Sequence, residues 1–212
     1  MKAEINIEVI ERLLEGQSSN KIFKSALNVF NISKKTYKKQ GCIYFISLIA
    51  AIFVGVSYDT KIVMVDSVQM VLDVMLGLFG IVFTGYAFFQ ALINKELLIR
   101  MLVNLSEEDE AGTKSKLQET NESFVKCMIL NLLSIIISML LKIIVNSISD
   151  DFLLFEDIVI DNIIASVLIS FYFYLILTII WEIKSFIFNV FQLFNSHAGA
   201  RVLELFEEDE IK

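Results

Sequence analysis

Proline is absent from the 212 residues, histidine and tryptophan occur once each, and cysteine twice. Each shortage closes off a class of function. Without proline no helix is kinked by its commonest device, which argues against a transporter assembled from broken spanning helices. The lone histidine, His197, stands on a polar stretch with no cysteine or histidine beside it. No metal site and no cofactor is therefore expected. Neither GxSxG nor a Gly-rich phosphate loop is present, and no Ser-His pair lies within an apolar run. Asp73 has no second aspartate inside the apolar runs to work with, as an aspartyl intramembrane protease requires. The reading is of a non-enzyme without catalytic residues. Cys42 and Cys127 each sit at the edge of an apolar run and are expected to stay reduced.

What the chain has in abundance is apolar surface. Hydrophobic residues make up 56% of it and 18 residues are Phe, with a mean hydropathy of +0.66. A soluble domain averages about 45–50%. Four apolar runs, Cys42–Tyr58, Val68–Ile93, Phe124–Asn146 and Asn162–Trp181, are long enough for a hydrocarbon core of roughly 30 Å at about 1.5 Å per residue. The expected fold is all-α: an integral membrane protein with four transmembrane helices, N-terminal amphipathic helices and cytosolic extension helices. Residues 1–41 are the interfacial or cytosolic helices, 42–93 and 124–183 two spanning hairpins, 94–123 a cytosolic helical segment, and 184–212 a C-terminal helix with an acidic tail. Because the first 41 residues are polar and charged, the first apolar run is expected to act as the insertion signal.

Lysine and arginine set the orientation. Residues 1–41 hold eight, 94–126 five and 184–212 three, whereas the two loops on the other side share Lys61 alone. The positive-inside rule then puts both termini and residues 94–123 in the cytosol, for a multi-pass membrane protein. The tetrapeptide Glu-Glu-Asp-Glu occurs at 107–110 and again at 207–210, each after a pair of spans. It is read either as the trace of a duplicated two-span unit or as two solvated acidic helix ends.

In the second run Asp73, Gly77, Gly80, Thr84, Ala87 and Ala91 follow a 4,3,4,3,4 spacing and share one helical stripe. Small residues let backbones approach closely in lipid. The stripe is expected to pack on another helix, with Ser47, Ala51 and Gly55 of the first run as its mate. In the third run Cys127, Asn131, Ser134, Ser138 and Lys142 form a polar stripe. It is either hydrogen-bonding glue between helices or, in a symmetric oligomer, the lining of an axial pore. Asp73 and Lys142 are the ionisable groups well inside apolar runs. Each is placed about one turn below the outer surface, where the two form a salt bridge or share a water-filled vestibule, or else snorkel to the interface. Lys34, Lys35, Lys38 and Lys39 lead into the first run. They suit either lipid headgroups or a polyanionic ligand such as a nucleotide or oligonucleotide.

A glycine-containing span, Leu78-Phe79-Gly80 through Gly85-Tyr86-Ala87, runs into the amphipathic Leu97-Leu98-Ile99-Arg100-Met101-Leu102. In this the chain resembles the small four-span membrane proteins of bacterial anti-phage defence. These include effectors associated with nucleotide-second-messenger synthases and the membrane components of Hailong-like and Kiwa-like systems. The likeness is architectural, covers most of the chain and carries over no binding residue. It implies a homo-oligomer such as a tetramer in the lipid bilayer, acting as an ion-conducting or membrane-disrupting channel gated by a nucleotide or oligonucleotide ligand or by a cytosolic partner protein. The alternative is a non-conducting scaffold or sensor that recruits a soluble cytosolic partner.

Overall fold

Polar side chains fix where four of the helices begin. The computed structural model describes residues 18–31, 36–57, 59–104, 114–149 and 158–210, and 92% of them are helical. Helix α1 spans Ser19–Leu27 and runs into a 3-10 turn at Asn28–Phe30. Helix α2 is Tyr37–Gly55, α3 Thr60–Leu92, α4 Lys95–Val103, α5 Lys116–Ser147 and α6 Ile158–Glu210. The Ser18 hydroxyl accepts from Lys21 N–H at 3.3 Å. Asp59 accepts from Ile62 N–H at 3.2 Å, Asn94 from Leu97 N–H at 2.8 Å, and Ser115 from Gln118 N–H at 3.2 Å. Each satisfies an amide that a helix start leaves without a partner.

These caps move two boundaries. The second spanning helix starts at Thr60 rather than Val68, because Asp59 nucleates it directly after the first. It does not continue into residues 97–102 either. It stops at Leu92, Asn94 takes an extended conformation, and a separate amphipathic helix follows. The fourth does continue, as one helix of 53 residues through Gly199.

Four helices are long and apolar enough to cross a membrane: Tyr37–Gly55, Thr60–Leu92, Lys116–Ser147 and Asn162–Gly199. The chain divides into two compact units. One comprises Leu27–Gly80 and Ile129–Ile183, hence α2 with parts of α3, α5 and α6. Its large side chains point outward: Phe53, Leu168, Met70, Phe171 and Phe45 are all more than 60% exposed. Among buried aliphatic side chains such as Val68, Met75, Ile176 and Ile179, its interior holds small and hydroxylated ones, with Ser47, Ala51, Asn131, Ser134, Ser138, Ser170 and Thr178 essentially inaccessible. That inversion suits an apolar solvent.

The other unit comprises Met1–Ala26, Ile81–Met128 and Lys184–Lys212. Phe124 of α5 is its centre. Phe89 stacks on it at 5.4 Å between ring centroids, Tyr86 tilts against it at 5.2 Å, and Phe186 meets it edge-on at 4.7 Å. Leu97 and Met101 of α4 and Leu117 of α5 are buried in the same unit. Its margin is ion-paired, with Lys114 2.9 Å and Lys126 3.8 Å from Glu122, and Lys116 2.8 Å from Glu119.

Candidate functional site

Within the hydroxyl-rich unit, α2 and α6 run antiparallel and in register. Lys39 reaches Glu182 at 2.5 Å, Tyr44 meets Tyr174 edge-on at 6.0 Å, and Gly55 lies against Ser166. A Cβ on Gly55 would stand 2.8 Å from Ser166 Oγ, so the glycine is what admits that helix. The small face Ser47, Ala51 and Gly55 is therefore used, but on the fourth spanning helix and not on α3. α3 instead turns Met64, Val68, Leu72 and Met75 inward, where interdigitating side chains of that bulk fill the interior.

The small-residue stripe of α3 is consequently on the outside. Asp73, Gly77, Gly80, Thr84, Ala87 and Ala91 are all exposed, and no heavy atom lies within 4 Å of where a Cβ on Gly77 or Gly80 would stand. The expectation that this stripe packs on another helix of the chain does not hold.

The polar stripe of α5 turns inward. Asn131, Ser134 and Ser138 are fully buried, and the Ser138 and Tyr172 hydroxyls are 2.8 Å apart, tying α5 to α6. Ser134 donates to the Asn131 carbonyl at 2.7 Å, Ser47 to the Tyr44 carbonyl at 2.8 Å, and Thr178 to the Tyr174 carbonyl at 2.7 Å. Those three hydroxyls bond their own helices and so do not join helices. Ser170 is 1% exposed and its Oγ has no hydrogen-bond partner. Lining an axis between copies would require this stripe to face outward; it faces α6, where Tyr172 supplies a polar partner that lipid lacks.

Asp73 and Lys142 do not form the direct salt bridge expected of them. Lys142 Nζ donates to Gln69 Oε1, and Gln69 Nε2 donates to Asp73 Oδ1 at 2.8 Å. An amide stands between the two charges, and Asp73 faces outward rather than into an enclosed vestibule. Their depths also differ. Gln69 is level with Lys142, so Asp73, one turn on, is level with Ser138 and hence with Tyr172. Tyr172 lies two residues from the partner of Tyr44, near the middle of α2. Asp73 lies inside the candidate span Thr60–Leu92. A charge at that depth costs roughly 2.5–3.5 kcal/mol on insertion scales.

The basic cluster is divided. Lys34 and Lys35 lie outside the described residues, as do the acidic run 107–110 and the apolar stripe at Ile7, Ile10, Leu13 and Leu14. Lys38 is exposed. Lys39 is engaged by Glu182 and sits 5.7 Å above the Trp181 ring, so it is not available to a polyanion without breaking that pair. Beside it, Gln40 donates to the carbonyls of Val29 and Asn31 at 3.3 and 3.2 Å, fastening the end of the 3-10 turn to α2. Gln69 and Gln40 escaped the sequence reading. For Gln69 the signal was there, since an amide four residues before a carboxylate is a helical hydrogen-bonding pair. In sequence and fold comparison the chain matches no family model, no curated protein and no solved structure.

Proposed function

We propose that this is a multi-pass protein of the bacterial cytoplasmic membrane, with both termini in the cytosol, serving anti-phage defence as a gated, channel-like effector. The described conformation is the closed one. A nucleotide or oligonucleotide ligand, or a protein partner, acting on the cytosolic helices parts the spanning helices. The buried row of Ser47, Asn131, Ser134, Ser138, Ser170 and Thr178 then hydrates. The observation that carries this reading is the chemistry of that row. Its hydroxyls are numerous, yet Ser47, Ser134 and Thr178 bond only their own helix carbonyls and Ser170 Oγ bonds nothing among the described residues. Groups that do little to hold helices together in lipid are suited to meeting water once the helices separate. The path so formed lies inside each chain, not on an axis between copies. The assignment to defence rests on the architectural resemblance.

The test combines conductance with accessibility. Ser134→Cys and Ser138→Cys are made in a chain whose Cys42 and Cys127 are replaced by alanine. The protein is set in planar bilayers and probed with a membrane-impermeant thiol reagent, with and without cyclic dinucleotides, cyclic trinucleotides and short oligonucleotides. Conductance and thiol modification appearing together under one ligand is the expected result. The complete closure of the row, sealed by Ser138 and Tyr172, favours the second reading of a non-conducting scaffold. Silence under every ligand, with stable capture of one soluble partner, replaces the first reading by the second.

A further inference from the structure

An intramembrane carboxylate that faces outward needs a cover, and lipid provides none. Asp73 lies inside the candidate span Thr60–Leu92, on the exposed face of α3. Among the described residues Gln69 is its partner, on Oδ1. Gln69 in turn uses Oε1 for Lys142 and one amide proton for Asp73. One acceptor, Asp73 Oδ2, and one donor, the second Gln69 N–H, are left over at the same depth on the same face. Small neighbours alone would not demand a partner; a carboxylate at this depth does.

We infer that the Gln69–Asp73 face of α3 is where two copies of this chain meet, on the reading above that the chain spans a membrane. The leftover donor and acceptor are self-complementary, which is what a two-fold contact requires. With the axis along the membrane normal, equal depths meet. The second Gln69 N–H of one copy donates to Asp73 Oδ2 of the other, and reciprocally, closing a ring of two amides and two carboxylates. Lys142 of each copy supplies the neutralising charge through Gln69 Oε1. Lys142 therefore acts on the contact through Gln69 and does not itself cross it. Gly77 and Gly80, one and two turns further on, have open space around them, so the two helices can approach without displacing a side chain.

Oxidative crosslinking of the full chain in native-lipid vesicles tests this. Single cysteines replace Gly77, at the proposed contact, or Leu168, an equally outward residue of α6, in a chain lacking Cys42 and Cys127. Gly77→Cys is expected to form dimers at least tenfold faster than Leu168→Cys. Equal rates, or the reverse order, overturn the proposal, and this comparison needs no change at Asp73. Adding Asp73→Leu to Gly77→Cys is expected to lower the dimer yield at least tenfold, whereas Asp73→Asn, which keeps an acceptor and adds donors, retains at least half of it. An unchanged yield with Asp73→Leu also overturns the proposal. The outcome is independent of gating: crosslinks without conductance remove the channel reading alone, and conductance without the Gly77 crosslink removes this contact alone.

Discussion

The two units of this chain fill their interiors in opposite ways. One closes its interior on phenylalanine: Phe89, Phe124 and Phe186 are nearly inaccessible, while Phe83, Phe88, Phe188 and Phe191 stand outside and Lys114, Lys116, Glu119, Glu122 and Lys126 pair at the edge. The other buries serine, threonine and alanine among Val68, Met75, Ile176 and Ile179, with Phe45, Phe53 and Phe171 outside. Water drives large apolar groups inward, by about 25 cal/mol for each Å² removed from it. Hydrocarbon does not distinguish a buried phenylalanine from an exposed one, so close approach of backbones and satisfied polar groups decide the packing.

The comparison breaks most visibly at Phe124. Its ring contacts three other rings and is 1% exposed. Phe124→Ala is expected to destabilise the protein by about 3–5 kcal/mol, the usual result of emptying an aromatic site in a core. Thermal unfolding in mild detergent reads this, with hydrogen exchange showing the loss concentrated in residues 81–103 and 114–128. A loss below about 1 kcal/mol would mean the aromatic cluster is not a core.

The hydroxyl-rich unit should respond more weakly to loss of its strongest internal bond. Tyr172→Phe removes one hydroxyl and leaves the Ser138 hydroxyl buried. Interhelical bonds in membranes average about 0.6 kcal/mol and reach about 1.7, so a cost near 1 kcal/mol is expected. Ser138→Ala together with Tyr172→Phe should cost less than the two separate changes added, since neither partner is then left alone. Strict additivity in that cycle would show that the 2.8 Å contact contributes nothing to holding α5 to α6.

The same contrast explains what could be read from the residues alone. Runs such as 124–146 and 162–181 announce spanning helices because only length and apolarity matter to crossing a membrane. The caps were harder, since Asp59 beside Lys61 looks like part of a loop until its carboxylate is seen to accept the Ile62 amide. Periodicity placed Asp73, Gly77, Gly80, Thr84, Ala87 and Ala91 on one stripe, and they do share one. It could not tell which way the stripe faces. In a water-soluble helix the apolar side is the inward side, but both sides of α3 are apolar, and the inward choice fell to Met64, Val68, Leu72 and Met75. Gln69 was overlooked for a related reason: an uncharged residue seldom stands out, yet here it links Asp73 and Lys142, the two charges well inside the apolar runs.

The smallest expected effect sharpens the comparison furthest. Ser47 is completely buried, and by the rules of a water-soluble core its loss should matter. Its hydroxyl, however, donates to Tyr44 O, a carbonyl already on its own helix, and the side chain serves mainly by being small where α2 meets α6. Ser47→Ala keeps the size and removes only a bond that does not join helices. Stability in detergent should change by less than about 0.5 kcal/mol. Ser47→Leu keeps apolarity but adds volume at a tight contact, and overpacking of that kind costs about 1–3 kcal/mol. If size governs this interior, the ordering is Ala harmless and Leu damaging. The reverse ordering, with Leu tolerated and Ala costly, would mean that the hydroxyl itself holds the helices, and the distinction drawn between the two interiors would not survive it.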